Sequence, residues 1–468
     1  MKTKNFRLEA HKMVDWMADY IENIEKYPVR SQVTPGYILN KLPASPPEEG
    51  EHLTDIFKDF ENIIMPGITH WQHPKFFAFF PGNSSPPSIL AEMLTAALGS
   101  NCMMWETSPA ATELEIRVLE WLRDAMGLPK ELSGVIQDTS SSATFCAVLV
   151  ARERATGWGV NEKGLGTDKK LCFYTSLEAH SSVEKAVKMA GLGRENLRLI
   201  PVDDKQAMDT YALKSHIEDD INAGFMPTCV VATLGTTGTG GMDPIDVIGK
   251  ICDSYNIYLH VDAAWAGSAL ILPEYQYLIK GIQFADSFVF NPHKWLLTNF
   301  DCTAHYVRDT DALKRTLSIL PEYLKTREGD KVTDFRDWGI QLGRRNRALK
   351  LWFVIRSYGI KGLQSFLRSH IEWSRELSKT IVNTDCFEVV TEPNLSLFTF
   401  RYRPDGVEDL NMLNAKLIQA INDDGRVYLT RTKVDDKLVI RFQVGSSNTS
   451  KEHVMDAWEV IKEVAMHK

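Results

Sequence analysis

From about residue 86 onward the chain alternates between two patterns, and that alternation limits its possible folds more than any other feature. Short runs rich in β-branched and aromatic residues occur at Gly134–Gln137, Lys170–Thr175, Thr228–Leu234, Ile257–Asp262 and Ser287–Asn291. Between them lie stretches with apolar residues at helical spacing, such as Ala143–Ala155 and Val183–Ala190. Consecutive parallel strands need a crossover, usually a helix, so repeated strand–helix–strand units predict a mostly parallel sheet covered on both faces. The expected class is α/β. Such sheets also fix where chemistry can occur, because ligands bind beyond the carboxyl ends of the strands.

The flanks follow other rules. Apolar residues at Phe6, Ala10, Met13, Met17, Tyr20 and Ile24 form one stripe on a predicted helix of several turns. A Pro-rich connector, expected to be extended, follows over residues 28–52. A long helical stretch from Ala348 to Ile381 then precedes strands at Phe387–Val390, Leu397–Arg403 and Lys437–Val444, with a last helix over Lys451–Ala465. Elements that do not alternate regularly predict a small α+β domain. The expected organisation is an N-terminal helical arm over 1–85, a large α/β domain over 86–350 and a small C-terminal domain over 351–468. With no nearby core of its own, the arm is expected to dock on a later part of the same chain or on a second subunit, the second favoured because symmetric dimers are common and extended arms often cross over.

Composition excludes several partners. The net charge of −8 argues against nucleic acid and anionic membrane surfaces. No apolar run approaches a membrane span, and the N-terminus turns polar too early for a signal peptide. Seven cysteines, scattered singly without a CxxC pair, fit a reducing compartment and give no metal site. The expectation is a cytoplasmic protein.

Each strand end carries polar groups. After Gln137 comes "DTSSSAT", with four consecutive hydroxyl residues, Thr139 to Ser142, opening a helix. After Thr175 comes His180, just ahead of a possible Ser181-to-Glu184 capping box. After Leu234 comes "GTTGTGG", which has neither a Walker lysine nor GxGxxG spacing. Asp262 closes the fourth strand, and Asn291, His293 and Lys294 follow the fifth. Taken singly, these are a helix cap, a packed histidine, a loop, another cap and a lysine whose stem packs while its ammonium reaches water. Taken together, they lie at one edge of one sheet.

One ligand would use all five ends. Hydroxyls and amides at a helix start hold a phosphate, and a flat ring stacks on an imidazole. A carboxylate keeps a ring nitrogen protonated, and a lysine amine condenses with an aldehyde. That ligand is pyridoxal 5′-phosphate.

The blocks "HVDAAWAGSAL", "FNPHKWLLTNFDC", "EAHSSVEKA", "TSPAATELE", "LPEYLK" and "LGRRNRALKLWFVIRSYG" resemble the group II pyridoxal-phosphate decarboxylases, nearest their aromatic-L-amino-acid branch. The resemblance runs from near residue 6 to near 460. It implies an aspartate-aminotransferase-like fold of type I in an intertwined homodimer. It implies that Lys294 binds the cofactor covalently, Asp262 pairs with the ring nitrogen and His180 stacks on the ring. Thr139, Ser140 and Ser141 would hold the phosphate, with Asn291 and His293 helping, and Thr236 would lie near the ring oxygen. Tyr323, in a lid over about 318–338, would be the proton donor. Trp71, Phe79, Phe80, Pro81, Gly82, Met103 and Gly343 would line the substrate, with Trp105 a further aromatic nearby. Three departures stand out: the phosphate turn is Asp138-Thr139-Ser140-Ser141 where animal relatives begin Gly-Ser-Ala-Ser, and Gly82 and Met103 occupy positions where they carry threonine and phenylalanine. Glycine at 343 leaves room for a bulky ring.

The implied activity is decarboxylation of an aromatic L-amino acid to its amine. Two alternatives are an aldehyde synthase, in which oxygen intercepts the reaction, and a catalytically silent scaffold of the same fold.

Overall fold

The computed structural model describes residues 3–166, 170–319 and 331–466. The chain divides into two compact units. The larger comprises Gly82–Arg375 and Thr391–Thr399; the smaller comprises Met1–Pro81, Glu376–Val390 and Phe400–Lys468.

In the larger unit seven strands form one sheet: β1 (Ser133–Gln137), β2 (Leu171–Ser176), β3 (Leu197–Ile200), β4 (Met226–Thr233), β5 (Tyr258–Asp262), β6 (Ser287–Phe290) and β7 (Thr303–Val307). Their order is β1-β7-β6-β5-β4-β2-β3. Pairing is parallel from β3 through β6, while β7 runs antiparallel to both of its neighbours. Every residue of β2, β5, β6 and β7 is buried. That explains why their sequences read as apolar runs rather than alternations: helices cover both faces, and neither face meets water. Under the helix Ser140–Ala155, residues Cys146, Ala147 and Val150 pack with Phe173, Val183, Val187 and Val231. Full burial of side chains such as these contributes about 1.5–3 kcal/mol each.

A second sheet contains β8 (Phe387–Asn394), β9 (Leu397–Tyr402), β10 (Thr430–Val434) and β11 (Lys437–Gln443), in the order β10-β11-β9-β8. The expected strands in this region are present. Strand β10 was not foreseen, because "TRTKV" is largely polar and its turn is Asp435-Asp436. Both of those residues have positive φ, 47° and 62°, as a two-residue hairpin turn requires.

The N-terminal helix runs from Thr3 to Glu22. Trp16 stacks on Tyr20 and meets Phe57 and Phe60 edge-on, while Phe6 and Leu8 remain exposed. The connector over 28–52 differs from expectation. It contains a short helix, Tyr37–Lys41, and Val29 is fully buried with its N–H on the Gly425 carbonyl at 2.9 Å. The long C-terminal helical stretch, Arg347–Val382, is interrupted at Gly359, whose φ of 64° and ψ of 164° are not helical. Among the described residues no helix is long and apolar enough to cross a membrane.

Candidate active site

Parallel pairing brings the carboxyl ends of the central strands side by side. Thr233 of β4 is in register with Asp262 of β5, and Asp262 with Val289 of β6. Backbone bonding continues past the strands: Leu234 N–H donates to the Asp262 carbonyl, Ala263 N–H to Val289, and Asn291 N–H to Ala264. The segments carrying Asp262 and Lys294 are therefore locked together by main chain.

Lys294 lies on a four-residue helix, Pro292–Trp295, with proline at its start, where no amide hydrogen is needed. Its N–H donates to the Asn291 carbonyl at 2.9 Å, and its own carbonyl accepts from the side-chain amide of Asn83. Asn83 N–H donates to the His293 carbonyl at 3.1 Å, and Ser85 Oγ to the Leu297 carbonyl at 2.7 Å. The His293 ring accepts the Cys302 N–H on Nδ1 at 3.0 Å. Burial, followed by the charge of Lys294, pushes the His293 pKa down to about 3, so the ring is neutral. Lys294 is thus held by its backbone, and its side chain takes no part in those bonds.

Asp262 is buried, with Oδ1 accepting the Ala264 N–H at 3.0 Å. Burial raises its pKa, while Lys294, the Ala264 amide and His180 pull it down. A carboxylate so placed calls for a cation. His180 is exposed at the end of β2, yet desolvation still lowers its pKa, against the opposing influence of Asp262. The anticipated capping box is not made. Instead the His180 Nδ1 accepts the Ser182 N–H at 3.1 Å and lies 2.8 Å from Ser182 Oγ. An acceptor Nδ1 places the proton of the neutral ring on Nε2.

At the start of the helix Ser140–Ala155, Thr139 is the N-cap residue and Ser141 is exposed. Ser140 is buried, and its Oγ donates to Asn291 Oδ1 at 2.7 Å. Thr303 Oγ1 donates to the same oxygen at 2.7 Å, so the Asn291 side-chain oxygen is held from two sides. Thr236 is fully buried. Its hydroxyl accepts the Gly241 N–H at 2.8 Å and pairs with Thr239, so it ties its own loop together.

Gly82 and Gly343 both have room for a side chain. A Cβ on Gly82 would meet only the His293 carbonyl at 3.7 Å, and one on Gly343 only Asn101 at 3.8 Å. Met103 is half-buried, and its carbonyl accepts the Arg336 N–H. Trp105 donates through Nε1 to Glu113. In the smaller unit Trp71 stacks on Phe79 with centroids 5.7 Å apart, Phe80 lies against Gly445, and Pro81 is buried. Tyr323 and residues 320–330 of the expected lid lie outside the described residues.

Sequence reasoning missed Thr303, Asn83 and a buried ion pair, Arg344 to Glu115 at 2.6 Å. Arg344 also donates to the Ile136 carbonyl at 2.8 Å and thereby fixes the backbone next to Gly343. A glutamate three residues after "PAAT" gave no sign of burial on its own.

The residues fit pyridoxal phosphate: a helix start with hydroxyls and an oriented amide for the phosphate, a buried acid for a ring cation, and a backbone-fixed lysine. Comparison with known proteins agrees. Residues 35–403 match the pyridoxal-dependent decarboxylase conserved domain. An aromatic-L-amino-acid decarboxylase of Catharanthus roseus is 42% identical over 99% of this chain and 94% of its own length. A phenylacetaldehyde synthase of Arabidopsis thaliana is 40% identical over 100% of this chain and 97% of its own. The crystal structure of Oryza sativa TDC with PLP and tryptamine superposes with a TM-score of 0.97 at 36% identity, covering 100% of this chain and 99% of that one. The chain belongs to the pyridoxal-dependent decarboxylase family, with the type I fold, and its cofactor is pyridoxal phosphate.

Proposed function

We propose that the chain removes carbon dioxide from an aromatic L-amino acid and releases the arylalkylamine, as a cytoplasmic homodimer. The observation that carries this reading is the pairing of a backbone-locked Lys294 with buried Asp262 across adjacent strand ends. Lys294 would hold the cofactor's aldehyde carbon, and Asp262 its ring nitrogen. Thr139, Ser141, Asn291 and His293 would hold the phosphate, with Ser140 acting through Asn291 and Thr236 shaping the loop beside the ring. His180 would stack on the ring, its proton on Nε2.

Bound pyridoxal phosphate supplies the electron sink for the pair left when the carboxylate departs. The carbon–carbon bond breaks, carbon dioxide leaves, and one proton must reach Cα. Tyr323 is the proposed donor, from a lid that would exclude water. Trp71, Phe79, Phe80, Pro81, Gly82, Met103 and Gly343 would line the substrate; the names of the relatives support an aromatic one. The exposed Phe6 and Leu8 support an N-terminal arm that a second copy covers.

The test is a product assay with tryptophan, 5-hydroxytryptophan, phenylalanine, tyrosine and DOPA, and with histidine and glutamate as controls. Amine from at least one aromatic substrate and none from the controls is expected. Amine from a control alone contradicts the substrate class.

The relative named phenylacetaldehyde synthase keeps a second product in view. Tyr323→Phe removes one hydroxyl and leaves binding and bond cleavage intact. General acids contribute about 10²–10⁴-fold, so amine formation should fall within that range. Aldehyde, ammonia and peroxide should appear instead, and only with oxygen present. A variant that still makes amine at the wild-type rate assigns the proton to another donor.

A further inference from the structure

Phe79 is held in a conformation that bulky residues rarely adopt. Its φ is +49°, in the left-handed region, and the residue is 44% exposed. Such strain persists only where the surroundings fix the backbone from both sides. Here they do. Phe79 N–H donates to Thr430 Oγ1 at 3.3 Å, and the Phe79 carbonyl accepts from Arg441 Nη2 at 3.2 Å. Arg441 Nη1 donates to the same Thr430 oxygen at 2.7 Å, which closes the clasp.

The clasp is built into a sheet. Thr430 and Arg441 are direct cross-strand partners in the β10–β11 hairpin, and Arg441 is buried. The strap leading to Phe79 is laddered on the same elements: Phe77 N–H donates to the Tyr428 carbonyl at 3.0 Å, and Gln443 N–H to the Phe77 carbonyl at 3.2 Å. The ring then rests on Trp71, stacked within 15°, and meets Tyr428 edge-on at 6.0 Å. Burial in a core does not account for this arrangement, because the residue it orients is 44% exposed.

We propose that Thr430 and Arg441 are positioning residues that govern the choice among aromatic substrates by holding the Phe79 ring in one pose. The inference rests on the reading of Phe79 as a substrate-facing residue. Thr430 is the sharper probe, since its oxygen accepts both bonds and valine, nearly the same shape, accepts neither.

The experiment compares wild type, Thr430→Val, Thr430→Ser and Phe79→Ala, with Thr430→Val repeated in the Phe79→Ala background. It reads kcat and KM for tryptophan and tyrosine, together with crystal structures of wild type and Thr430→Val. In Thr430→Val, Phe79 should relax to negative φ. The tryptophan-to-tyrosine ratio of kcat/KM should change by about threefold or more, through KM, with kcat near wild type. Thr430→Ser, which keeps the oxygen, should behave as wild type. In the Phe79→Ala background the Thr430→Val change should vanish, because the clasp acts only through that residue. A positive φ retained in Thr430→Val overturns the clasp itself. A relaxed Phe79 with an unchanged ratio overturns the specificity role and locates the fault in the reading of Phe79. A ratio change that persists without the Phe79 ring also overturns it, as a diffuse structural effect.

Discussion

Lys294→Ala abolishes the visible absorbance of the attached cofactor and lowers turnover on the order of 10³-fold or more, while the protein stays folded. The folding half of this expectation follows from the geometry. The backbone of position 294 bonds to Asn291 and Asn83, and alanine makes those same bonds. Alanine is also the best helix former for the short Pro292–Trp295 turn. Pyridoxal phosphate can still bind through the phosphate groups, so the variant should take it up reversibly and lose it on dialysis. Absorbance spectra, turnover and melting temperature, measured side by side, check this. Near-normal turnover removes Lys294 from the chemistry.

Asp262→Asn is the second large effect. The asparagine oxygen can still accept the Ala264 N–H, so the turn after β5 is kept. The charge is lost. Removing one preorganised electrostatic partner typically lowers kcat by about 10²–10³-fold, and a loss in that range is expected with KM less affected. Stability should move the other way in the cofactor-free protein. Burial raises the Asp262 pKa above its unfolded value, so the protonated form is favoured by folding. That advantage is present at low pH and is lost as pH rises through the folded pKa, above which the charge must stay buried. A neutral amide avoids that cost, and the apo variant should melt no lower than apo wild type at pH 7. Retention of most of the wild-type kcat reduces Asp262 to a turn-forming residue.

The placement of both residues at adjacent strand ends was legible in the sequence, because parallel strands all end at one edge and the residues that close or follow each strand gather there. Thr303 shows where that procedure stops. Strand β7 runs antiparallel, so its first residue, not the one after its last, lies at the same edge; Thr303 is in register with Gln137, the last residue of β1. A short run, "TAHYV", gives no sign of its direction. Ser140 and Thr236 show a second limit. The resemblance marks Ser140 as a phosphate hydroxyl and Thr236 as a neighbour of the ring oxygen, but only the folded chain reveals that Ser140 bonds to Asn291 and that Thr236 ties its own loop. The N-terminal stripe and the long C-terminal helical stretch were readable from period alone. The break at Gly359 was not, because a single glycine is common enough inside helical patterns to pass without notice.

The most direct test of the central claim is the stoichiometry of one turnover under air and under nitrogen. Purified protein loaded with pyridoxal phosphate is incubated with L-tryptophan and with L-tyrosine, and amine, carbon dioxide, aldehyde and peroxide are all quantified. The account predicts, for at least one of the two, one amine per carbon dioxide, unchanged by oxygen and without aldehyde or peroxide. Carbon dioxide accompanied mainly by aldehyde and peroxide in air, or none released from either substrate, would contradict it.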